Sequence, residues 1–327
     1  MDLNLTITNK CNMRCEYCYA NKDGQSTDLN ILYKSVDFFC GTNLKSISLI
    51  GGEPLCESKN TVSLIEYIRK KNKDLTIFIT TNGTLLTHEI ATFFKKNNVK
   101  VTLSFDGFAD IEQRRYVDGS SARNDILNAI EMLINADLEF SVRLTLTRKN
   151  YKGCAAGVKY LIKKNIKNII INLDWAFDNL WSDSEIDGVI NEYKKIYLYR
   201  KSIGGIFIRP LDSWKESISG DHCIAACQFG ASKPIVGCDG KIYACTMFNG
   251  NRNYEIGSVL DTKKFEHMVF PYTIEQLPEC ENCIANNICK KNYCACTNFQ
   301  LTGNIEKKSS VLCNYYHKIG QMLQTLC

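Results

Sequence analysis

Short runs of β-branched and apolar residues alternate with longer amphipathic stretches over the first two thirds of the chain. The short runs predict strands and the longer stretches predict helices. Strands separated by single helices indicate right-handed crossovers and a parallel sheet with helices outside it. The predicted strands are Leu3–Thr8, Ser46–Ile50, Leu75–Thr80, Lys100–Phe105, Glu139–Leu146, Asn168–Asp174 and Ile206–Pro210, and the predicted helices are Asp28–Cys40, Asn60–Lys71, Thr87–Asn97, Ala122–Ala136, Gly153–Lys164 and Asp183–Ser202.

This pattern predicts an α/β fold with about six strand–helix units. Six units are fewer than the eight of a closed barrel, so we expect an open, partial (β/α)6 barrel. Ligands of such sheets bind at the carboxyl ends of the strands, on the loops that follow them. After about residue 212 the strand–helix rhythm stops and turns multiply. We therefore predict a partial barrel at residues 1–212 and a cysteine-rich domain with a C-terminal helix at residues 213–327.

Composition excludes several classes of protein. Hydrophobic residues make up 45% and charged residues 23%, which is ordinary for a globular protein and excludes a disordered or fibrous chain. The net charge of +5 is too small to indicate a nucleic-acid partner. No apolar run reaches the length of a membrane span, and the N-terminus is not a signal peptide. We expect a cytoplasmic protein that associates with neither membranes nor nucleic acid.

The unusual feature of the composition is its 17 cysteines. In a reducing compartment, clustered cysteines indicate metal or cluster ligands rather than disulfides. Ten of them fall between Cys223 and Cys313, in the region where the strand–helix rhythm has stopped. Inorganic cross-links would supply order to a region with so little regular core.

Three cysteines stand close together in the loop after the first predicted strand. Cys11, Cys15 and Cys18 form a C-x3-C-x2-C motif. Closely spaced thiolates hold iron–sulfur clusters, and three ligands on a four-iron cluster leave one iron open to another ligand. The alternatives are a zinc loop or three unrelated thiols. Zinc sites favour paired C-x2-C knuckles with two further ligands, and none follows nearby.

This motif, with Tyr17 before its last cysteine, resembles that of the radical S-adenosylmethionine (SAM) enzymes. The resemblance implies a catalytic [4Fe–4S] cluster on Cys11, Cys15 and Cys18, with SAM chelated to the open iron. In that family the reduced cluster cleaves SAM, and the resulting 5′-deoxyadenosyl radical abstracts a hydrogen atom from the substrate. The protein binds, orients and shields these groups. A reductant such as flavodoxin or ferredoxin is the implied electron donor.

Other segments match the family after the following strands. Gly51-Gly52-Glu53-Pro54 resembles the GGEP segment, which implies that the glycines approach the methionine part of SAM and that Glu53 receives its ammonium. Thr80-Thr81-Asn82-Gly83 resembles the TNG segment, and Ser104-Phe105-Asp106-Gly107 resembles the segment that ends the fourth strand. The further SAM contacts implied are Tyr17, Pro54, Thr81, Asn82 and Ser104, with Arg114, Arg115 and Arg143 as alternative partners for the SAM carboxylate.

The late cysteines form a second pattern. Cys227 is followed by Gly240 and Cys245, and the runs Pro234–Gly237 and Lys241–Ala244 around Gly240 predict a hairpin. A C-x2-C-x5-C motif and three further cysteines come later. This order resembles the SPASM extension of radical SAM enzymes, which carries two auxiliary [4Fe–4S] clusters. The resemblance implies Cys223, Cys227, Cys245 and Cys294 as ligands of the first cluster, and Cys280, Cys283, Cys289 and Cys313 as ligands of the second.

Several assignments stay open from sequence alone. The gap after Cys289 departs from the SPASM pattern, so either Cys294 or Cys296 is the ligand, and Cys223 either completes the first cluster or leaves an iron open. Four-thiolate zinc knuckles are the alternative to auxiliary clusters.

Cys238 in the hairpin is a candidate reactive thiol. Asp174 and Asp212 are candidate general bases, with structural carboxylates as the alternative. The other cysteines, Cys40, Cys56, Cys154 and Cys327, are expected to be buried small hydrophobic residues.

The leading functional hypothesis is a radical SAM/SPASM maturase that forms an oxidative cross-link, thioether or carbon–carbon, in a ribosomally synthesised precursor peptide (a RiPP). The alternatives are oxidation of Cys or Ser to formylglycine in a sulfatase-type protein, peptide epimerisation, a small-molecule reaction of cofactor biosynthesis, and a non-catalytic iron–sulfur carrier or zinc module. Because the first strand is predicted to begin at Leu3, we expect no leader-binding domain in this chain. A separate leader-peptide-binding protein, or direct recognition by the barrel, would then be required.

Overall fold

The computed structural model describes residues 1–109, 111–175, 181–201, 203–219, 229–261, 278–291 and 294–326. Strands and helices alternate through the first two thirds of the chain, as the periodicity predicts. The strands are β1 (Asp2–Thr8), β2 (Ser46–Gly51), β3 (Thr76–Thr81), β4 (Val99–Ser104), β5 (Phe140–Leu146), β6 (Asn168–Leu173), β7 (Phe207–Arg209), β8 (Ile235–Val236), β9 (Lys241–Tyr243) and β10 (Glu255–Ser258). The α-helices are α1 (Leu29–Cys40), α2 (Ser58–Lys71), α3 (His88–Lys96), α4 (Arg123–Asn135), α5 (Cys154–Lys163), α6 (Asp183–Arg200), α7 (Leu211–Ser219), α8 (Asn286–Lys291), α9 (Ala295–Thr302) and α10 (Ser310–Leu326).

The predicted α/β class, with parallel strands and six consecutive strand–helix pairs, is confirmed. The predicted ends are correct to within one or two residues. Strand β7 ends at Arg209 rather than at Pro210, because proline has no N–H to donate to a neighbouring strand.

Local sequence explains where the helices begin. The Asp28 side chain accepts a hydrogen bond from the Asn30 N–H and caps α1. At α6, Ser182 and Glu185 form a reciprocal capping box, in which each side chain accepts from the other residue's backbone N–H. Helix α1 buries Leu32, Val36 and Phe39, the four- and three-residue spacing of a single helix face.

The chain divides into two compact units. The first comprises Met1–Ser104, Arg114–Ser141 and Gln228–Phe270. Its strands follow the order β10-β9-β8-β1-β2-β3-β4, with β1 to β4 parallel. Leu3, Leu5 and Ile7 of β1 are fully buried, as expected for a parallel strand covered on both faces. The carboxyl ends of β1, β2 and β3 therefore lie at one edge of the same sheet.

The hairpin predicted around Gly240 is confirmed. Strands β8 and β9 are antiparallel, and β8 pairs in parallel with β1 through Asn4↔Ile235 and Leu5↔Val236. This segment thus extends the sheet of the first unit beyond residue 212. The division of the chain into domains at residue 212 stays a prediction.

The second unit comprises Phe105–Gln113, Val142–Cys227 and Pro271–Cys327. Strands β6 and β7 are parallel in it. Its core gathers all three tryptophans of the chain around Tyr315 of α10. The ring centroids of Trp175 and Trp214 lie 5.5 and 6.1 Å from that of Tyr315, and Trp181 lies 6.1 Å from Trp175. The Tyr193 and Tyr315 hydroxyls are 3.2 Å apart, which satisfies both polar groups inside this core.

Across the described parts of the chain, every helix is too short or too polar to span a bilayer.

Candidate active site

The Cys11–Cys18 loop follows β1 directly and is tied down along its length. The Arg14 N–H donates to the Arg115 carbonyl at 2.8 Å, and Met13 forms an isolated bridge with Tyr116. The Lys22 ammonium donates to the Met13 carbonyl at 3.2 Å. Cys11, Cys15 and Cys18 are all half-buried on this one loop. The three predicted cluster ligands thus lie on one loop, and their role as ligands stays a prediction.

The first thiol of this loop is strongly desolvated. Burial raises the pKa of the Cys11 thiol to about 11, and the Met13 N–H, 3.4 Å from the sulfur, opposes the rise. Cluster ligands bind as thiolates, so binding of iron must release this proton. Among the described Cys, His, Asp and Glu side chains, no three are close enough to share a single metal ion. A four-iron cluster takes one thiolate at each iron, so its ligands need not meet at one ion.

The glycine pair after β2 packs directly against the backbone of the thiol loop. A Cβ atom at Gly52 would lie 2.2 Å from the Lys10 carbonyl oxygen, and one at Gly51 would lie 2.1 Å from that of Thr8. The Gly52 N–H donates to the Thr8 carbonyl at 2.7 Å, and the Glu53 N–H to the Lys10 carbonyl at 2.8 Å. Only glycine permits this approach, which leaves the start of the thiol loop and the GGEP segment in direct contact.

Glu53 is buried and joins β2 to the end of β3. Its carboxylate accepts from the Thr81 hydroxyl at 2.7 Å, the Asn82 N–H at 2.7 Å and the Leu55 N–H at 3.1 Å. Burial raises the pKa of this carboxyl, while these hydrogen bonds and the Arg114 charge oppose the rise. The three residues that the resemblance assigns to SAM binding after β2 and β3 therefore form one hydrogen-bonded group. Pro54 begins the short 3-10 turn Pro54–Glu57, and Ser104 is nearly buried at the end of β4.

The arginine candidates lie in different surroundings. The Arg114 guanidinium carbon lies 5.4 Å from the centroid of the buried Tyr17 ring, and its Nη1 lies 3.9 Å from the Cys15 sulfur. Arg115 is exposed and donates to the Gly119 carbonyl at 3.0 Å. Arg143 is half-buried on β5, in the second unit. The Arg114 side chain contacts the thiol loop and places a positive charge beside a predicted cluster ligand.

Sequence reasoning missed Asn12 and Thr84. The Asn12 side chain, between the first two cysteines, hydrogen-bonds to Asn82 at 2.9 Å and to Thr84 at 2.7 Å. The available sequence signal was the amide side chain of Asn12 between two predicted cluster ligands. Its hydrogen-bond partners are distant in sequence, so the signal did not identify them.

The second unit gathers four of the late cysteines. Burial raises the pKa of the Cys289 thiol, and the neighbouring Cys280, Cys283 and Cys313 add to the rise. The Lys308 ammonium opposes it and lies 3.8 Å from the Cys280 sulfur. These are the four residues that the resemblance assigns to the second auxiliary cluster, and a cation beside them offsets the negative charge of thiolates. Lys308 was not among the predicted site residues.

The remaining late cysteines are only partly described. Cys223 and Cys227 lie outside the described residues, and Cys245 is half-buried in the first unit. Cys294 caps the N-terminus of α9, and hydrogen bonding from Cys296 lowers the pKa of its thiol to about 6 against the effect of burial. Cys296 is buried in the first turn of the same helix. The thiolate form is thus favoured at Cys294.

The candidate general bases and the candidate reactive thiol have local partners. Asp212 forms an ion pair with Arg200 and accepts from the Ile208 N–H at 2.6 Å, which joins α6, β7 and α7. Asp174 is nearly buried beside Trp181, whose indole N–H donates to its carbonyl. Cys238 is half-buried with its sulfur 3.9 Å from the Gln25 carbonyl, and burial raises the pKa of its thiol. Catalytic roles for Asp212 and Cys238 stay predictions.

Known proteins resemble this chain over most of its length. An uncharacterised protein, MJ0907, from Methanocaldococcus jannaschii is 32% identical over 228 residues, which cover 66% of this chain and 78% of that protein. The radical SAM cyclopropyl synthase TigE from Paramaledivibacter caminithermalis is 25% identical over 60% of this chain and 46% of its own length. A cysteine-type anaerobic sulfatase-maturating enzyme from Clostridium novyi is 24% identical over 80% of this chain and 76% of its own.

A solved structure shares the fold. Native anSMEcpe with bound AdoMet and the Kp18Cys peptide superimposes with a TM-score of 0.81 at 19% identity, covering 100% of this chain and 99% of that one. The sequence profile of the radical SAM superfamily matches residues 5–152, the stretch that holds the thiol loop, the glycine pair and Glu53. The chain belongs to the radical SAM superfamily of enzymes.

Proposed function

We propose that this chain is a radical SAM maturase that oxidises a residue within a polypeptide. The observation that carries the proposal is the buried Glu53, held by Thr81 and Asn82 beside the three-cysteine loop. A carboxylate at this position suits the ammonium of the methionine part of SAM. The glycine pair supports the fit, because it lets the GGEP segment that carries Glu53 lie directly against the backbone leading into the cysteine loop.

In this proposal, the [4Fe–4S] cluster is held by Cys11, Cys15 and Cys18. SAM is surrounded by Tyr17, Gly51, Gly52, Pro54, Thr81, Asn82 and Ser104. When bound, these groups supply a 5′-deoxyadenosyl radical that takes a hydrogen atom from the substrate. The chain's own residues bind and orient SAM and exclude water from it. Arg114 screens the charge of the thiolates, and a flavodoxin- or ferredoxin-type protein in the cytoplasm supplies the electron.

We assign the late cysteines to two auxiliary clusters within a C-terminal domain at residues 213–327. The second cluster is held by Cys280, Cys283, Cys289 and Cys313, beside the positive charge of Lys308. Cys294 joins Cys223, Cys227 and Cys245 at the first, because its sulfur stands at the N-terminus of α9, where the helix dipole favours an anion. Cys296 stays a buried thiol. These clusters would accept the electron that an oxidised substrate releases.

The relatives support a polypeptide as the proposed substrate class. TigE is named as a cyclopropyl synthase, and anSMEcpe was solved with a peptide beside AdoMet. We propose an oxidative cross-link in a precursor peptide as the first candidate reaction. Oxidation of a cysteine or serine to formylglycine is the second, favoured by the sulfatase-maturating relative that aligns over most of both chains.

Product analysis tests the proposal. The enzyme is loaded with iron and sulfide under anaerobic conditions and incubated with dithionite, SAM and one of two peptides: the one encoded nearest the gene, or a cysteine-containing sulfatase-type peptide. Loss of two hydrogen atoms without a carbonyl group identifies a cross-link, and an aldehyde that couples to a hydrazide identifies formylglycine. If SAM is cleaved but neither peptide changes in mass, the proposed oxidation of a polypeptide residue is wrong.

Gly52→Ala is expected to abolish SAM cleavage. The added methyl group would lie 2.2 Å from a backbone oxygen of the thiol loop, so the loop or the GGEP segment must move. The readout is 5′-deoxyadenosine formed from SAM and dithionite.

Gly41→Ala is the matched control, because Gly41 has helical φ and nothing lies within 4 Å of its would-be Cβ. This variant should cleave SAM as the parent does and gain about 0.4–1 kcal/mol of stability. Normal SAM cleavage by Gly52→Ala would contradict the proposed position of the cofactor.

A further inference from the structure

Three side chains of the first unit close a ring of hydrogen bonds beside the cluster loop. The Asn82 amide nitrogen donates to the Asn12 amide oxygen at 2.9 Å. The Asn12 amide nitrogen donates to the Thr84 hydroxyl at 2.7 Å, and that hydroxyl donates to the Asn82 amide oxygen at 2.8 Å. Each side chain donates once and accepts once around the ring. All three bonds are within the normal range of length.

One side of the ring is a rigid turn. The Thr84 N–H also donates to the Asn82 amide oxygen, at 2.9 Å, and the Gly83 N–H donates to the Thr81 hydroxyl at 3.0 Å. Gly83 has a φ of +80°, and a Cβ there would lie 2.4 Å from a Leu103 methyl carbon. The turn after β3 is therefore fixed by its own bonds and by β4 before it reaches Asn12.

On its other side, the ring is attached through Asn12 to the backbone beside Cys11, the first cluster cysteine. Asn12 follows Cys11 directly, and the N–H of the next residue, Met13, lies 3.4 Å from the Cys11 sulfur. The Asn12 carbonyl accepts from the Val117 N–H at 3.3 Å. The Asn12 backbone also hydrogen-bonds to the Cys56 thiol. The ring attaches the Asn12 side chain to the rest of the unit. It spans about 70 positions of sequence, from the loop after β1 to the turn after β3.

The ring also meets the proposed SAM pocket. Thr81, which receives the Gly83 N–H, donates its own hydroxyl to Glu53, and the Asn82 backbone donates to the same carboxylate. One continuous set of hydrogen bonds thus runs from Glu53 through the turn to the residue beside Cys11. A change in the ring would alter the distance between the cluster ligands and the group that holds the SAM ammonium.

We propose that Asn12 and Thr84 are positioning residues for SAM binding at the cluster. Both polar atoms of the Asn82 side chain take part in the ring. Asn82 therefore helps to position Cys11 for SAM binding, in addition to any direct contact with SAM. Thr84 touches neither thiols nor Glu53 in the described contacts. Its hydroxyl holds Asn12, and Asn12 holds the cluster loop at the spacing that lets SAM reach both the open iron and Glu53.

The test compares Thr84→Val with Thr84→Ser in the full, cluster-loaded chain. Valine keeps the shape of threonine and removes the hydroxyl, whereas serine keeps the hydroxyl. The readout is the change that SAM causes in the electron paramagnetic resonance spectrum of the reduced cluster, measured against SAM concentration. This signal reports SAM at the open iron without requiring turnover or a known substrate.

Thr84→Val is expected to raise the SAM concentration at half-effect by about three- to tenfold, because the Thr84 hydroxyl can no longer accept from Asn12 or donate to Asn82. Thr84→Ser should restore this concentration to within about twofold of the parent, because the ring can close again. The metal-free proteins are melted in parallel to measure the loss of folding stability in each variant.

Thr42→Val is the matched control. The Thr42 hydroxyl donates to the Phe39 carbonyl at 2.7 Å, at the end of α1, so this change also removes a hydrogen-bonded threonine hydroxyl in the same unit. It should lower the melting temperature without altering the response to SAM. The proposal is overturned if Thr84→Val responds to SAM as Thr84→Ser does, or if Thr42→Val weakens the response as much as Thr84→Val.

Discussion

Cys15→Ala is expected to abolish the formation of 5′-deoxyadenosine completely. Cys15 is the central thiol of the three on the cluster loop, half-buried beside the Arg114 guanidinium. A cluster held by only two protein thiolates leaves two irons without a protein ligand, and it would be lost or unable to orient SAM. The measurement is anaerobic incubation of the iron-loaded variant with dithionite and SAM, followed by chromatography of the nucleoside products.

Cys40→Ala is the matched control for this experiment. Cys40 is exposed at the end of α1 and belongs to neither cysteine pattern. The control variant should form 5′-deoxyadenosine at the parent rate. If Cys15→Ala also retained turnover, the assignment of the catalytic cluster to this loop would be wrong.

Glu53→Gln has the second-largest expected effect, because the change removes charge and a hydrogen-bond acceptor from a buried position. The Leu55 N–H, the Thr81 hydroxyl and the Asn82 N–H all donate to the Glu53 carboxylate, so an amide NH2 in place of one oxygen would face a donor. We expect the metal-free protein to lose about 1–3 kcal/mol of folding free energy. We also expect the loaded enzyme to lose most of its SAM cleavage, since the proposed partner of the SAM ammonium is gone.

Glu66→Gln provides the comparison, because Glu66 is exposed on α2. Surface changes of this kind alter the free energy of unfolding by no more than about 0.5 kcal/mol. Urea denaturation of both variants measures the difference. Equal stability of Glu53→Gln and Glu66→Gln would contradict the hydrogen-bonded burial described here.

The pH dependence of the metal-free protein should report the same carboxyl. Burial raises the pKa of Glu53 above its ordinary value of 4.5, so the folded state keeps a proton that the unfolded state has released. Protonation of Glu53 therefore stabilises the folded state fully below pH 4.5, and this stabilisation is lost as the pH rises through the folded pKa. In Glu53→Gln, the stability of the folded state should lack this loss with rising pH. An unchanged pH profile in the variant would show that Glu53 does not titrate with folding.

Much of the fold was predictable because it depends on local periodicity. The buried faces of α1 and β1 repeat at helical and strand spacing, and the predicted ends of these elements agree closely with the structure. The cluster loop was predictable for the same reason, since three thiols within eight positions can only lie on one loop. The hairpin around Gly240 was also correct, but its pairing with β1 was not foreseen, because parallel pairing of distant strands leaves no short-range pattern.

Lys308 and Thr84 show what sequence reasoning could not find. Each is an ordinary polar residue in a polar stretch, and its importance depends on which side chains the fold brings near it. The Lys308 ammonium meets Cys280 across 28 positions of sequence, and the Thr84 hydroxyl meets Asn12 across 72. Contacts over such separations are set by sheet order and turn geometry, which no spacing rule encodes.

The amino-acid order alone determined the α/β class, the succession of strands and helices, the thiol loop and its superfamily, because each rests on neighbours a few residues apart. Tertiary structure alone decided that Glu53, Asn82 and Asn12 form one hydrogen-bonded group, and that the Arg114 guanidinium lies near Cys15. The physical reason for the hydrogen-bonded group is that the parallel pairing of β1, β2 and β3 brings their carboxyl ends to one edge of the sheet. Side chains separated by tens of residues in sequence come within hydrogen-bonding distance at that edge.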